Sequence, residues 1–434
     1  MQALLSFAQS PPLDAPFRFF LTAPLFAILA GMLMLWGGPD LFASRWTPAA
    51  LALTHLISVG FMLQVMLGAM IQILPVFAGA NLLRPRLVVP VVHATIALGA
   101  LLLVAGFLSQ QAPAFWLAVL LLGSGLALFI GAAGHALHHV PATNPTINGL
   151  KLALPGLSVT VGLGILLAVG LDGAFALPLL QLTSLHLVWG FVGWGVVLLA
   201  AVAFVVVPMF QLTPPYPAWF ARCFAWLVLA LLCCWTVTAR WPGPSSLLAG
   251  AVVLSVAAFA VHTLQLQRCS KRARFDATQH CWRLAMLCTL AACAVWFTGV
   301  RGPSLTARQE WLCGVLALFG GFMSVMIGML YKIVPFLVWL HLQNLGGVHF
   351  LAPNMNKVIS APQIRYQMQA HFLALALLLA AVVWPRWFAY PAGLAILIAN
   401  LWLLRNLLAA VGFYRQQGQK IAAMLPATPA TASR

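Results

Sequence analysis

Residues 54–79 read THLISVGFMLQVMLGAMIQILPVFAG, an apolar run that begins near a histidine and ends near a proline. Residues 185–210, LHLVWGFVGWGVVLLAAVAFVVVPMF, follow the same plan, and residues 321–336, GFMSVMIGMLYKIVPF, repeat its second half. The last turns of the three runs align without a gap, from a small residue to the proline, over 68–75, 201–208 and 328–335. A repeat of this length predicts one architectural unit that recurs along the chain.

The composition of the chain excludes a soluble globular protein. Of its 434 residues 63% are hydrophobic and 6% are charged, whereas soluble domains carry about 25% charged residues. Stretches long enough to cross a bilayer occur about twelve times, near 17–36, 48–79, 87–108, 114–137, 149–170, 178–210, 217–238, 246–267, 280–299, 310–340, 368–384 and 389–412. We therefore expect an all-α polytopic membrane protein with a single transmembrane domain over residues 1–434.

The proline-terminated runs are the second, sixth and tenth of these stretches, which is a period of four. This period predicts three pseudo-repeated four-helix units, at about 1–140, 141–268 and 269–434. We also expect each proline to end its helix, because the residue before a proline is disfavoured in the α conformation.

The net charge of +17 would indicate a nucleic-acid partner in a soluble protein. Here, about seventeen of the basic residues fall on one side if the N-terminus is inside, as the positive-inside rule requires. This distribution predicts a multi-pass protein of the bacterial inner membrane with both termini in the cytoplasm. Its partner is then the lipid bilayer, and no nucleic acid is needed to explain the charge.

Two histidines fall within the apolar runs, in the outer thirds of the second and sixth predicted helices. A neutral imidazole suits haem iron or copper, and an ionisable group at lipid depth indicates a function. His55 and His186 are therefore candidate cofactor ligands. Each also has a structural alternative. His55 is equally explained as a core histidine hydrogen-bonded across helices, and Gly190 and Gly193 beside His186 make either a recess for a macrocycle or a close helix contact.

Other histidines lie towards the predicted cytoplasmic side. His135, His138 and His139 fall within one helical turn, which is metal-ligand spacing for copper or zinc or, alternatively, a set of headgroup contacts. A second haem held with His93 or His371 is a further hypothesis, and His262 is the repeat counterpart of His135 in such a metal site.

Acidic residues are nearly missing from the apolar runs. The five of them, Asp14, Asp40, Asp172, Asp276 and Glu310, fall in loops or at the ends of the predicted helices. A proton pump or an ion-coupled carrier usually keeps a carboxylate at mid-membrane, so this pattern disfavours both classes.

Twelve spans in groups of four, with a histidine in the second and another in the sixth, resemble the catalytic subunit of haem-copper oxidases and nitric oxide reductases. In that family the two histidines bind low-spin haem and the active-site metal. The seventh span here lacks the family's adjacent histidines, and the tenth lacks its pair. The segments His55-x4-Gly60-Phe61 and Pro75-Val76-Phe77-Ala78-Gly79 also resemble the NnrS family of haem- and copper-containing membrane proteins linked to nitric oxide metabolism.

This resemblance implies haem b bound by His55 and His186, with copper as a further metal. It implies a redox or nitric-oxide-related role without a complete binuclear centre, as in a haem-dependent oxidoreductase, and an electron donor or a respiratory-chain subunit as partner. The alternative function is a cofactor-free permease or a respiratory-oxidase assembly factor.

Overall fold

The computed structural model describes residues 10–171, 177–239, 241–300, 305–347 and 351–424, and no strand occurs among them. Twelve helices in this part of the chain are long and apolar enough to cross a membrane. We label them α1 to α12: Asp14–Ala43, Pro48–Ala78, Pro85–Ser109, Ala112–His138, Pro145–Leu171, Leu179–Gln211, Ala218–Thr238, Gly243–Arg268, Ala277–Gly299, Ala307–Gly346, Ala361–Val383 and Pro385–Met424. The predicted all-α polytopic membrane protein is confirmed.

The first and last helices show how the chain is oriented in the bundle. Gly31 of α1 packs against Gly393 of α12, and Gly38, further along α1, packs against the earlier residue Tyr390. The two helices therefore run antiparallel, and the N-terminus of α1 lies beside the C-terminus of α12. We call this side of the bundle the terminal end and the other side the opposite end.

Helices α2, α6 and α10 form the centre of the bundle. In their most apolar stretches 83%, 61% and 78% of the residues are buried, compared with at most 56% in any of the other nine helices. The second, sixth and tenth helices are thus enclosed by protein, and the remaining helices provide the surface that faces lipid.

Each of these three central helices contains a segment of π-helix near the opposite end. The segments are Leu56–Leu63, Trp189–Val196 and Val315–Met323. Each ends twelve residues before the proline of its own helix. A π-helical turn holds an additional residue, so it changes which side chains face a given neighbour, and such segments are frequent at functional sites.

A glycine stands at the same place in all three π-helical segments, fifteen residues before the proline: Gly60, Gly193 and Gly320. Each lies against the first helix of its own predicted unit. Gly60 contacts Phe26 of α1, Gly193 contacts the backbone at Gly156 of α5, and Gly320 contacts Cys288 of α9. The same close approach therefore recurs three times. At Gly60 and Gly320 a Cβ atom would itself meet the neighbouring helix, whereas between α5 and α6 the absent Cβ atom of Gly156 leaves the room.

A second contact recurs closer to the prolines, at the aligned residues Gly68, Ala201 and Gly328. Gly68 packs against Phe20 of α1. In the other two units a threonine hydroxyl makes the contact: Thr146 of α5 donates to the main-chain oxygen of Ala201 at 2.9 Å, and Thr278 of α9 donates to that of Gly328 at 3.0 Å. The same kind of contact therefore recurs once in each of the three predicted units.

The prediction that each proline ends its helix is wrong. Helices α2 and α6 continue for three residues after Pro75 and Pro208, and α10 continues from Pro335 to Gly346. A proline removes only one backbone hydrogen bond, and packing against neighbouring helices compensates for this loss within a membrane bundle.

The acidic residues lie where the sequence places them. Asp14 and Glu310 are in the first turns of α1 and α10, Asp40 is in the 3-10 turn that ends α1, and Asp276 directly precedes α9. Asp172 lies outside the described residues. Among those that the structure describes, no carboxylate stands in the middle of a membrane-spanning helix.

Candidate functional site

His55 is the eighth residue of α2 and directly precedes the π-helical segment. Its Nδ1 atom lies 2.8 Å from the main-chain oxygen of Leu51. A carbonyl oxygen only accepts, so Nδ1 carries the proton and Nε2 carries the lone pair. Its ring packs against Phe107 of α3, with centroids 4.9 Å apart, and Nε2 has no hydrogen-bond partner among the described residues.

His186 is the eighth residue of α6 and repeats this arrangement with a partner on another helix. Its Nδ1 atom lies 3.0 Å from the main-chain oxygen of Thr160 in α5. Gly164, one turn further along α5, lies beside the ring, since a Cβ atom there would be 3.1 Å from Cε1 of His186. Again Nε2 bonds to none of the residues that the structure describes.

Both imidazoles lie at the opposite end of the bundle, each at the eighth residue of its central helix, and both side chains remain partly accessible. Two nitrogen lone pairs, each on a ring that is held through its other nitrogen, are therefore available at this end. A metal-binding histidine usually has this arrangement, because the hydrogen bond on the second nitrogen fixes its tautomer and orientation.

The recess predicted from the glycines beside His186 is filled by α5. A Cβ atom on Gly190 would lie 3.2 Å from the Thr160 methyl group, and Gly193 contacts Gly156. For these two glycines, close helix packing is therefore the correct interpretation, and a macrocycle bound by His186 has to approach Nε2 from another side.

The cluster of His135, His138 and His139 lies on the surface at the terminal end of α4. All three side chains are exposed, and their rings meet edge to face, with centroids 5.5 Å and 5.1 Å apart along the cluster. Within the described part of the chain, no three His, Cys, Asp or Glu side chains are arranged to hold a metal ion. The copper or zinc site predicted here stays a prediction without structural support.

His93 and His262, the weaker metal candidates, each have a packing partner. His93 Nε2 lies 2.8 Å from the hydroxyl oxygen of Thr22 in α1. His262 packs on Phe220 of α7, with ring centroids 4.4 Å apart. Such contacts are those of histidines that join two helices.

His371 is completely buried between α10 and α11. Its Nε2 atom lies 2.8 Å from the hydroxyl oxygen of Ser324, the first residue after the π-helical segment of α10, and its ring stacks on Phe319. Its Nδ1 atom has no partner in the described structure. A second haem on His371 would have to replace this packing.

Sequence reasoning missed the residues that position the two candidate ligands. Phe107, Thr160 and Gly164 belong to α3 and α5, and nothing in their spacing from His55 or His186 connects them. It also missed an ion-pair cluster at the terminal end, where Nζ of Lys332 lies 2.7 Å from a carboxylate oxygen of Asp276.

The fold defines a polytopic α-helical membrane protein whose central helices carry a pair of histidines at one end. In comparisons with known proteins, no family model matches the sequence and no curated protein is significantly similar to it.

Proposed function

We propose that this protein binds haem b in the bacterial inner membrane through Nε2 of His55 and of His186, and that it has a redox or nitric-oxide-related role. One observation carries the proposal. Both rings donate their Nδ1 proton to a main-chain oxygen, so both present an unpaired Nε2 at the same end of two of the three central helices. This is the tautomer that haem iron requires of an axial histidine.

The number of available ligands favours haem over a bare metal ion. A structural or catalytic ion takes three or four protein ligands, and no such group occurs among the described residues. Haem iron is already bound by the four porphyrin nitrogens and needs only one or two side chains. Copper, which the resemblance implies as a further metal, has no comparable set of donors among the residues that the structure describes around these histidines.

When bound, the haem would supply one-electron chemistry. The chain contributes the rigid placement of the two imidazoles. Leu51 and Thr160 hold Nδ1 of each ring, and Phe107 limits the rotation of His55. An electron donor or a respiratory-chain subunit is the partner that such a role needs, and the surrounding bilayer contacts the other helices.

The test is an absorbance spectrum of the protein purified with its native cofactors. We expect a Soret band that sharpens on reduction with dithionite, and a pyridine haemochrome of the b type. His55→Ala and His186→Ala should each remove at least half of this band relative to protein. His135→Ala, which changes an exposed histidine at the terminal end, is the matched control and should leave the band unchanged.

A preparation without haem, or a band that survives both substitutions, would overturn the proposal. The cofactor-free permease or oxidase assembly factor would then be the better interpretation of the same helices.

The orientation in the membrane is part of this proposal, with both termini in the cytoplasm and the two histidines near the outer surface. An alkaline phosphatase fused after Gln110, in the connection between α3 and α4, should be active outside the cell. The same enzyme fused after Met424 should be inactive, and the reverse pattern would place the two histidines near the cytoplasm.

A further inference from the structure

A cavity of about 600 Å³ opens at the terminal end, on the other side of the bundle from His55 and His186. It lies between the end of α6, the connection from α8 to α9, the middle of α10 and the start of α11. Ligand sites in proteins commonly occupy about 300–1,000 Å³, so the cavity has the size of a small-molecule site.

The charged lining of this cavity is mainly cationic. Arg272, Lys332 and Arg365 line it together with one carboxylate, that of Asp276. Asp276 binds two of the cations, with Lys332 Nζ at 2.7 Å and Arg272 Nη1 at 2.9 Å. The lining therefore keeps two positive charges in excess.

Arg365 is the residue of this lining that is best placed for a ligand. Its side chain is exposed and forms no ion pair or hydrogen bond with any residue in the described ranges. It lies in the first turns of α11, whose N-cap residue Ser360 makes no side-chain capping bond. Positive charge and free backbone N–H groups at a helix N-terminus both attract an anion.

The rest of the lining suits an organic group attached to the anion. Phe210, Tyr331 and Pro335 contribute apolar surface beside the charged residues. Arg272 also donates through Nη2 to the main-chain oxygen of Phe210 at 2.8 Å, which holds its guanidinium at the wall of the cavity. Its Nε atom is buried and has no acceptor in the described structure.

We propose that this cavity binds a phosphate-bearing ligand, with Arg365, Arg272 and Lys332 around the phosphate and the apolar wall around the attached organic group. Two excess charges match a phosphate group, and a guanidinium matches its oxygen geometry. The phosphate belongs either to the headgroup of an anionic phospholipid or to a soluble phosphate ester.

The experiment measures binding to the delipidated full-length protein in a neutral detergent. One arm uses dioctanoyl phosphatidylglycerol, with dioctanoyl phosphatidylcholine for comparison, and the other arm uses glycerol 3-phosphate. Saturable binding in the first arm alone identifies the lipid headgroup, and binding in the second arm identifies a soluble ester. The proposal is overturned if the wild-type protein binds neither anionic probe more tightly than it binds dioctanoyl phosphatidylcholine.

The variants localise this binding to the cavity. Arg365→Gln should weaken it about tenfold, since it removes one charge-assisted contact, and Arg365→Lys should restore part of the loss. Arg86→Gln is the control, because Arg86 is also exposed near the start of a helix at the terminal end but does not line the cavity. Equal affinity of Arg365→Gln and Arg86→Gln for the anionic probe would contradict the proposal. The haem spectrum should be the same in all three variants, since none of them lies near His55 or His186.

Discussion

The Nδ1 atom of His186 in α6 lies 3.0 Å from the main-chain oxygen of Thr160 in α5. This bond joins two neighbouring helices and sets the direction of the ring. Any change in the distance between α5 and α6 at this level therefore moves Nε2, the nitrogen that we propose as a haem ligand.

Gly164→Val tests this dependence. A Cβ atom at residue 164 would lie 3.1 Å from Cε1 of His186, and the methyl groups of valine would push the ring away from Thr160. We expect the Soret absorbance per protein to fall by about half or more, since displaced ligands and their supporting contacts commonly cost 10- to 100-fold in metal affinity. The measurement is the ratio of Soret to protein absorbance after purification.

Gly162→Val, two residues earlier on the same helix, is the matched control, because no atom lies within 4 Å of a Cβ at residue 162. Both variants place the same side chain in α5, so a difference between them reports on His186 alone. Equal haem content in the two variants would show that the position of the ring does not matter for binding.

The repeat could be predicted from the sequence because its defining residues are glycine, alanine and proline. The small size of glycine and alanine and the missing N–H of proline follow directly from residue identity. In the structure, Gly68, Ala201 and Gly328 each face the first helix of their predicted unit. The π-helical segments could not be predicted in this way. Apolar side chains fit an α-helix and a π-helix equally well, and packing between helices decides where the additional residue is placed.

The candidate site was only half predictable for a related reason. The depth of His55 and His186 follows from the apolar runs around them. The groups that fix their tautomers are the main-chain oxygens of Leu51 and Thr160, and a main-chain oxygen has no sequence signature. The sequence left two alternatives at Gly190, a recess or a close helix contact, because its neighbour Thr160 comes from α5 through tertiary packing.

Gly60→Ala should destabilise the protein. A methyl group on Gly60, inside the π-helical segment of α2, would overlap the ring of Phe26, which is itself buried in α1. Overpacking of this kind costs about 1–3 kcal/mol. We expect a lower unfolding temperature in a fixed detergent, measured by intrinsic fluorescence.

Gly412→Ala in α12 provides the comparison, since a Cβ atom there meets nothing within 4 Å. This change should stabilise the helix by about 0.5–1 kcal/mol, because alanine loses less backbone entropy than glycine. Opposite signs for the two variants are the expected result. A rise in unfolding temperature for both would mean that Phe26 moves aside at little cost.

Ser324→Ala should also destabilise the bundle, through His371. The serine hydroxyl is the partner of Nε2 of His371 at 2.8 Å, and neither residue has any exposed surface. Without it, both nitrogens of a buried ring would lack partners, which costs about 1–3 kcal/mol. The check is the unfolding temperature in the same detergent.

Ser158→Ala is its control, because Ser158 is an exposed residue and its hydroxyl bonds only to the Leu154 carbonyl of its own helix. That substitution should change the unfolding temperature very little. If the two alanine variants have the same unfolding temperature, the hydrogen bond between Ser324 and His371 contributes nothing measurable to stability.

Asp276→Asn should lower stability in a pH-dependent way. Burial alone would raise the pKa of Asp276, but the hydrogen bond and charge of Lys332, the N–H group of Gln279 and the charge of Arg272 together hold this pKa below its ordinary value. The carboxylate is thus easier to ionise in the folded protein than in the unfolded chain. Its stabilising contribution is present above the ordinary pKa of about 3.9 and is lost as the pH falls through the lowered folded value.

We therefore expect Asp276→Asn to reduce the free energy of unfolding by about 1 kcal/mol at pH 7, with a difference that shrinks as the pH falls below the ordinary pKa of an aspartate. Asparagine keeps the acceptor that caps α9 through the Gln279 N–H group, 2.9 Å from Oδ1 in the native protein, so the change isolates the charge. Asp14→Asn is the control, because Asp14 is 70% exposed and pairs only with Arg18. A difference that stays constant from pH 7 to pH 3 would show that the effect does not come from the carboxylate charge, and the ion pairs with Lys332 and Arg272 would then contribute nothing measurable to stability.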